Sequence, residues 1–427
     1  MRLGGRLAAA IEVLDDIEGR HRPAADALKD WGLSHRFAGS GDRAAIGNIV
    51  YDALRRRRSA AWLIDGDTTR ALAFGVLALE WGMDAEAIGR ALDGDRFAPP
   101  PLSQSERTAI STRDLAAAPA AVRADCPDWC VPLAEDAFGD GWVEELAALA
   151  ARPPLDLRVN TLAATPQKVL DELQDAGAVP GGMLDEALRI PPVEGGGRHP
   201  NVQAEPTFKN GWFEVQDIGS QAAAALAGAQ GGMQVLDYCA GAGGKTLAMA
   251  AAMENRGQIF VHDAEKQRLA PIFERLRRAG AHNVQAIAGE EGLEPLAGRM
   301  DLVLVDAPCT GSGTWRRRPD AKWRLTERQL EVRLAEQAAI LAQAAHYLRP
   351  GGRLVYVTCS IFAAENARQI EAFLAAHPAF APADHAALWR QRFGAARARI
   401  AGHGIVMTPA TTGTDGFFVA VLERKAG

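Results

Sequence analysis

The chain has 427 residues, and an ordinary domain size of roughly 150 residues predicts about three domains. Its 47 basic and 53 acidic side chains nearly balance at a net charge of −6, and 48% of its residues are hydrophobic. This composition excludes wholesale disorder and collagen-like or coiled-coil repeats. The acidic balance argues against a nucleic-acid coat over the whole surface, but it allows a local basic groove.

Cysteine usage and apolar runs indicate the cellular setting. The five cysteines are an odd number scattered over a long chain, which predicts a reducing compartment rather than a disulfide framework. The first apolar stretch ends at Glu12, too early for a signal peptide. Longer apolar runs, such as residues 71–79, fall short of the roughly 18 residues of a membrane span. We therefore expect a soluble cytoplasmic protein with no membrane partner.

Residues 1–125 predict an all-α domain. In residues 42–54 the apolar side chains recur with helical periodicity, at Ile46, Ile49, Val50, Ala53 and Leu54. Further Ala- and Leu-rich helices are predicted at 69–81 and 103–115. The Arg55–Arg58 run ends the clearest helix. We interpret these cations as completing a helix C-terminus in water, in preference to contacting RNA.

Residues 126–212 predict a small α+β module, with Pro153–Pro154 as a boundary inside it. Residues 155–162 alternate like a strand, and Thr165 is a predicted N-cap with Pro166 at the first helical position. The Cys126 and Cys130 pair lacks a second pair of ligands, so we expect buried thiols rather than a zinc site.

Residues 213–427 predict an α/β Rossmann-like domain. Short buried runs at 234–238, 258–262, 301–306 and 353–358 alternate with helical stretches. That alternation is typical of βαβ units and a parallel sheet. Ligands of such sheets bind at the carboxyl ends of the strands.

A glycine turn follows the first of these strands, within residues 235–246. Gly241, Gly243 and Gly244 allow a ligand to approach the backbone closely. A phosphate-binding Walker loop would need glycine at position 239, which is Cys239, and a dinucleotide fingerprint would place its third glycine on Thr246. The next strand ends at Asp263, whose carboxylate can accept hydrogen bonds from two ribose hydroxyls. Together they indicate a nucleoside-containing cofactor.

Two cysteines follow strands at the same edge of the predicted sheet. Cys309 lies in the run Asp306–Gly313, and Cys359 lies in Thr358–Ser360, with Glu365 shortly beyond. Packing alone does not explain this placement. From the residues alone, a disulfide or half of a metal site stays open, although no histidine or third cysteine clusters near them in sequence.

A basic segment lies downstream of Cys309. Five cations against Asp320 give it a local charge of +4, and Trp315 and Trp323 lie among them. We favour phosphate contacts and base stacking over a solvated surface loop. The predicted RNA-binding residues are Arg316, Arg317, Arg318, Lys322 and Arg324.

These motifs resemble the NOL/NOP/Sun family of RNA (cytosine-5) methyltransferases over residues 155–424. The matching residues are Val215–Asp217, Gln221, Asp237 with Gly243–Thr246, Asp306–Cys309, Arg316–Asp320, Thr358–Ser360 and Asp415–Phe418. The N-terminal region, residues 42–56 above all, resembles the NusB-like RNA-binding domain fused to bacterial 16S rRNA methyltransferases of the RsmB type.

The resemblance implies a class I methyltransferase domain that uses S-adenosyl-L-methionine and no metal. It implies a cofactor site made of Cys239, Ala240, Gly241, Ala242, Gly243, Gly244, Lys245, Asp263, Glu290 and Asp306. Ala242 stands where the family usually has proline, and Glu290 stands where aspartate is commoner.

The resemblance also implies the catalytic roles. Cys359 attacks C6 of cytosine, because a thiolate there makes C5 nucleophilic enough to take a methyl group. Cys309 assists release afterwards, Asp306 holds the cytosine edge at N3, and Lys245 helps to keep a thiolate charged. The expected product is 5-methylcytosine in RNA, and the expected RNA is 16S rRNA. The expected enzyme acts as a monomer during rRNA processing.

Three alternatives stay open. The substrate could be tRNA or another RNA. A non-catalytic RNA-binding assembly factor could share the fold, but it should have lost Cys359, Asp306 or Lys245, and all are present. A DNA cytosine methyltransferase would use the cysteine after proline, here Cys309, and would lack the Thr358–Ser360 motif.

Overall fold

The computed structural model describes residues 1–287 and 289–426. The side chain of Glu290 lies outside this description, so its expected cofactor contact stays a prediction.

The α-helices of the described residues are, in chain order, Leu3–Arg20 (α1), Ala24–Ser34 (α2), Ser40–Arg55 (α3), Arg57–Ile64 (α4), Thr69–Leu79 (α5), Ala85–Leu92 (α6), Gln104–Thr112 (α7), Ala120–Arg123 (α8), Val131–Phe138 (α9), Trp142–Leu149 (α10), Pro166–Glu172 (α11), Pro206–Lys209 (α12), Ile218–Ala227 (α13), Gly244–Ala252 (α14), Lys266–Leu269 (α15), Ile272–Ala279 (α16), Pro319–Arg324 (α17), Glu327–Ala345 (α18), Ala367–Ala376 (α19) and His385–Phe393 (α20).

The strands in the same part of the chain are Leu155–Val159 (β1), Val179–Pro180 (β2), Ala187–Ile190 (β3), Phe213–Val215 (β4), Gln234–Asp237 (β5), Gln258–Val261 (β6), Val284–Ala286 (β7), Met300–Asp306 (β8), Leu348–Thr358 (β9), Phe380–Pro382 (β10), Arg399–Ala401 (β11), Gly404–Met407 (β12) and Phe417–Arg424 (β13). None of the described helices is both long enough and apolar enough to cross a membrane.

The chain forms two compact units. The helical unit comprises Met1–Pro153, Pro192–His199 and Trp315–Leu325, and the sheet unit comprises the remaining described residues. The division falls between Pro153 and Pro154, a boundary that the sequence predicts. It does not fall at residue 125, because α9 and α10, within residues 131–149, belong to the helical unit. The three predicted domains therefore do not coincide with the compact units.

The helical unit follows its hydrophobic periodicity. Helix α3 buries Ile46, Ile49, Val50, Ala53 and Leu54, the apolar positions of the predicted helix. Helix α7 begins with a capping box, in which the Ser103 hydroxyl accepts from the Glu106 N–H and the Glu106 carboxylate accepts from the Ser103 N–H. Cys126 and Cys130 are free and buried in this unit, as expected.

A small antiparallel sheet in the order β2-β3-β1-β4 begins the sheet unit. The predicted helix cap is confirmed, since the Thr165 hydroxyl accepts from the Lys168 N–H and Pro166 opens α11. Helix α11 ends at Glu172, and a 3₁₀ turn at Gln174–Ala176 completes the predicted helical stretch.

The large sheet of the sheet unit runs in the order β11-β12-β13-β9-β8-β5-β6-β7, with β10 on β13. Strands β9, β8, β5, β6 and β7 are parallel, which confirms the predicted α/β domain. Apolar side chains of the strands and of the helices beside them form the core, among them Val235, Ile259, Leu302, Val355, Leu247 and Ile272.

The strand order reverses between β5 and β8, since the chain runs from β5 outward through β6 to β7 and then returns to β8 on the other side of β5. Such a reversal opens a crevice at the carboxyl ends of the two strands, where open α/β sheets bind their ligands. The glycine turn follows β5 and Asp306 ends β8, so both line this crevice.

Candidate active site

The glycine turn joins β5 to α14 and has two kinds of glycine. Gly243 has a φ of +82°, and a Cβ there would lie 2.5 Å from Ile272, so packing against α16 requires glycine. Gly241 has a φ of +50°, yet a Cβ there would meet nothing closer than 3.7 Å, and the same holds for Gly244. A Cβ at Gly241 or Gly244 would therefore make only ordinary van der Waals contacts, so packing does not require glycine there, and the absence of a side chain leaves the backbone accessible to a closely approaching ligand.

Asp263 follows β6 and fixes this turn. Its Oδ2 accepts from the Gly241 N–H at 2.9 Å, and its Oδ1 accepts from the Glu265 N–H at 2.9 Å. The side chain is only 4% exposed. An ionised carboxylate offers about four lone-pair sites, so Asp263 retains capacity for the two hydroxyls of a ribose.

Asp237 lies beneath the turn with an unsatisfied oxygen. Its Oδ2 accepts from the Thr246 hydroxyl at 2.6 Å, whereas its Oδ1 is buried with no hydrogen-bond partner among the described residues. Burial raises the pKa of Asp237 to about 7, and the nearby charge of Asp306 adds to the shift. A buried acceptor beside a glycine turn suits a ligand that carries a hydrogen-bond donor, as the amino group of S-adenosyl-L-methionine does.

A second contact stabilises the turn, and no local sequence pattern predicts it. Arg275 of α16 donates from Nη1 to the Ala242 carbonyl at 2.7 Å. The same guanidinium forms an ion pair with Glu214 of β4 at 2.9 Å. Arg278 binds the other oxygen of Glu214 at 2.5 Å. Arg275 thus connects Ala242 of the glycine turn to β4 of the small sheet. Ala242 is the position where the family that this sequence resembles usually has proline.

Lys245, at the start of α14, pairs with Asp306 at the end of β8. The ammonium donates to Asp306 Oδ2 at 2.6 Å, and it lies 5.4 Å from the centre of the Phe417 ring. Lys245 is 7% exposed and Asp306 34% exposed, so the carboxylate faces the crevice. The ion pair of Lys245 is with Asp306, and its role in keeping a cysteine thiolate charged stays a prediction.

Cys309 and Cys359 meet beyond the ends of β8 and β9. Both are free and partly exposed, and their sulfurs lie 3.4 Å apart. The hydrogen bond with Cys359 and burial raise the pKa of the Cys309 thiol well above its ordinary value, and the charge of Glu365 adds to the effect. Cys309 is therefore held as a thiol. The disulfide that the sequence left open is not formed.

The remaining predicted cofactor residues also lie around the turn. The Ala240 N–H donates to the His262 carbonyl at 2.9 Å and links the ends of β5 and β6. Burial raises the pKa of Cys239 far above the usual range, so this third cysteine is a poor candidate nucleophile.

Much of the basic segment is buried. Both interpretations of its sequence, as an RNA-binding segment and as a solvated surface loop, predict an accessible loop. Within the helical unit, Trp315, Arg316 and Lys322 are buried. Lys322 donates to the Arg55 carbonyl at 3.2 Å and Trp323 donates to the Leu54 carbonyl at 2.7 Å, so α17 completes the C-terminus of α3.

The environments of the other basic residues differ. Burial lowers the pKa of Lys322 to about 8. Arg324 pairs with Asp320 at 2.8 Å and Arg317 is partly buried, whereas Arg318 is exposed. Of the five predicted RNA contacts, Arg318 is therefore accessible, and the Arg324 side chain is 36% exposed.

The Arg55–Arg58 run makes ion pairs inside the helical unit. The partners are Asp52 for Arg55, Glu80 for Arg56, Glu18 for Arg57 and Asp128 for Arg58. Helix α3 ends at Arg55, as predicted. These cations are bound to carboxylates rather than only solvated.

Two families match the chain. Residues 223–423 match the family described as 16S rRNA methyltransferase RsmB/F, and residues 126–192 match its ferredoxin-like domain. Neither range includes residues 1–125, so the NusB-like character of that region stays a prediction.

Curated relatives are ribosomal RNA small subunit methyltransferases B. The chain is 33% identical over 304 residues to a probable one from Synechocystis, covering 70% of this chain and 66% of the relative. It is 35% identical over 258 residues to that of Salmonella arizonae, covering 59% and 58%. The matched part of the chain thus spans between half and two thirds of the length of these relatives.

Solved structures share the fold. The structure of PH0851 superposes with a TM-score of 0.72 at 24% identity, covering 99% of this chain and 100% of the other. NSun6 from Pyrococcus horikoshii with SFG gives 0.60 at 20% identity, covering 70% and 99%.

Proposed function

Because this chain belongs to the RsmB/F family of methyltransferases, we propose that it methylates C5 of a cytosine in RNA with S-adenosyl-L-methionine as the methyl donor. The proposed RNA is 16S rRNA, the substrate in the family's description. The observation that carries the chemistry is the contact between two free thiols, 3.4 Å apart, at the crevice that also holds the Lys245–Asp306 pair.

The residues around the glycine turn suit the proposed cofactor. The backbone of Gly241 and Gly244, where no side chain projects, suits its methionine part, and Asp263 suits the ribose hydroxyls. The unpartnered Oδ1 of Asp237 suits its amino group. When bound, S-adenosyl-L-methionine would supply an electrophilic methyl group.

The target cytosine must leave any base stack to enter the crevice. There the sulfur of Cys359, as a thiolate, forms a bond to C6, and the electron pair of the C5–C6 double bond shifts toward C5 and N3. Asp306 faces N3. The Lys245 ammonium, 2.6 Å from Asp306 Oδ2, supplies a proton to N3 through that carboxyl group and offsets the developing charge. C5 becomes an enamine carbon that can accept the methyl group.

Release reverses the first step after methylation. The C5 proton passes to solvent water, the electron pair of its C–H bond re-forms the C5–C6 double bond, and the C6–S bond breaks with its electrons on Cys359. The N3 proton returns to the Asp306–Lys245 pair, which leaves neutral 5-methylcytosine. Cys309 lies in contact with that sulfur and is therefore placed to assist. Two cysteines with separate tasks explain why both strand ends carry one.

Methyl transfer to defined nucleic acids tests this function. Protein incubated with tritiated S-adenosyl-L-methionine should label 16S rRNA and should leave tRNA and duplex DNA unlabelled. Bisulfite mapping of RNA from a deletion strain should then reveal one missing 5-methylcytosine. Labelling of DNA alone would favour the DNA-type mechanism, and RNA binding without any labelling would favour a non-catalytic assembly factor.

A further inference from the structure

The carboxylate of Glu365 lies between two loops, the one after β8 that carries Cys309 and the one after β9 that carries Cys359. Glu365 is completely buried. Its Oε1 accepts from the Thr310 N–H at 2.8 Å and from Gln337 Nε2 at 3.0 Å. Its Oε2 accepts from the Thr310 hydroxyl at 2.5 Å and from the Ser360 hydroxyl. Thr310 directly follows Cys309 and Ser360 directly follows Cys359, so one carboxylate binds the residue next to each cysteine.

Other buried groups connect the same two loops. The Ser312 and Ser360 hydroxyls lie 3.0 Å apart, and the Ser312 hydroxyl accepts from the Ile361 N–H at 2.9 Å. The Gly313 N–H donates to the Cys359 carbonyl at 2.9 Å. These bonds surround Glu365 and extend the connection that its carboxylate makes between the loops.

A buried carboxylate is costly unless hydrogen bonds satisfy it, and apolar packing of similar volume would serve stability as well or better. Glu365 has donors on both oxygens, and they come from the loop after β8, the loop after β9 and helix α18. No bond joins Glu365 to either sulfur among the described hydrogen bonds. Apart from the effect of its charge on the pKa of Cys309, Glu365 can therefore influence catalysis only through the loops.

We propose that Glu365 is a positioning residue that sets the separation of the Cys309 and Cys359 sulfurs. The proposal rests on the proposed function, in which the two sulfurs act in sequence on one cytosine. With the carboxylate in place, the loops hold the sulfurs at contact distance. Without it, Thr310 and Ser360 lose their common acceptor and the loops separate.

Two substitutions of Glu365 distinguish position from charge. In Glu365→Gln the carbonyl oxygen can face the Thr310 N–H and Gln337, and the amide can donate to hydroxyls that rotate to accept. The spacing of the loops should persist. In Glu365→Ala the shared acceptor is lost. Retained function in the glutamine variant would show that geometry, rather than the negative charge, is what Glu365 supplies.

The first readout needs no methyl transfer. Full-length protein is equilibrated with reduced and oxidised glutathione, so that two protein thiols are oxidised to a disulfide while one oxidised glutathione is reduced to two thiols. Alkylation and peptide mass spectrometry then give the effective concentration of Cys309 toward Cys359. We expect the value of Glu365→Gln to stay within threefold of wild type and that of Glu365→Ala to fall at least tenfold. Cys309→Ser gives the background.

The second readout is kinetic. For Glu365→Ala we expect kcat for methyl transfer to fall at least tenfold while KM for RNA changes little, and Glu365→Gln should restore kcat. If Glu365→Ala does not fold, as judged by circular dichroism, the double variant Thr310→Val with Ser360→Ala removes the two hydroxyl donors and replaces it in both assays.

The outcomes are distinct. The positioning role is overturned if Glu365→Ala, or the double variant that replaces it, keeps the wild-type effective concentration. It is also overturned if Glu365→Gln and Glu365→Ala lose effective concentration equally. If the thiol equilibrium behaves as expected but wild-type protein transfers no methyl group to any RNA, the positioning role stands and the proposed function fails.

Discussion

The sulfur of Cys309 lies 3.4 Å from that of Cys359, although 50 residues separate them in the chain. The contact follows from topology, because β8 and β9 are neighbouring parallel strands and each cysteine comes just after its strand ends. The hydrogen bond with Cys359, burial and the charge of Glu365 all raise the pKa of the Cys309 thiol. The two thiols share one contact, so a variant of each is needed to separate their tasks.

The first prediction separates those tasks. Cys359→Ala removes the nucleophile, so neither methylated RNA nor a covalent protein–RNA adduct should form. Cys309→Ala should still allow attack and methyl transfer but should stall release. An adduct that survives denaturing gel electrophoresis should then accumulate, and only when S-adenosyl-L-methionine is present.

Two results would contradict this assignment. An adduct with Cys359→Ala and none with Cys309→Ala would make Cys309 the nucleophile, as in the DNA-type mechanism. If neither variant forms an adduct and each shows only a modest loss of stability, both cysteines are merely core thiols.

The second prediction concerns Asp263 and the cofactor. Asp263→Ala removes acceptors for the ribose hydroxyls and the bond that fixes the Gly241 N–H. Hydrogen bonds to a charged group contribute roughly 1.5–3 kcal/mol, so affinity for S-adenosyl-L-methionine should fall about tenfold or more. Titration calorimetry measures this directly, with Asp301→Ala, at the start of β8, as a control at the opposite edge of the sheet. Unchanged affinity would remove Asp263 from the site.

The third prediction uses the contact between Arg275 and the Ala242 carbonyl, 2.7 Å long. Arg275→Ala should loosen the glycine turn and weaken cofactor binding severalfold. The additional substitution Ala242→Pro should restore part of the affinity, because proline fixes φ near −65° and limits the turn in another way. Among the described backbone bonds, none uses the Ala242 N–H that proline would remove. Equal affinities of wild type and Arg275→Ala would show that the contact is incidental.

The fourth prediction is a pH dependence at Asp237. Burial raises its pKa in the folded state from 3.8 to about 7. An acid with a raised folded pKa stabilises the fold fully below its unfolded pKa, and that contribution is lost as pH rises toward the folded value. The loss should therefore occur between about pH 4 and 7.

Asp237→Asn isolates this effect, because its side-chain carbonyl can still accept from Thr246. Relative to wild type, the variant should gain stability as pH rises from 5 to 8, and thermal unfolding of the cofactor-free protein at each pH measures the difference. A difference that does not change with pH would mean that Asp237 is ionised throughout this range.

The sequence alone was sufficient to locate the strand ends that form the site, because buried runs and glycine turns are local signals. It could not predict that Lys245 pairs with Asp306, since that contact depends on the register of β5 against β8. The basic segment shows the same limit. Its charges suggest an accessible surface, but Lys322 binds a carbonyl at the end of α3, a tertiary contact 267 residues away.

The last prediction concerns RNA binding by what remains accessible of that segment. Arg318 is exposed and Arg316 is buried, so reversing their charge should have different effects. Arg318→Glu should weaken RNA binding and lower the slope of log affinity against log salt by about one, with the melting temperature and cofactor affinity unchanged. Arg316→Glu buries a carboxylate in place of a guanidinium and should lower the melting temperature instead.

Arg256→Glu is the matched control. Arg256 is exposed and lies before β6 at the amino edge of the sheet, so this variant should leave the slope unchanged. If Arg318→Glu keeps the wild-type slope in a filter-binding titration, Arg318 has no role in holding RNA.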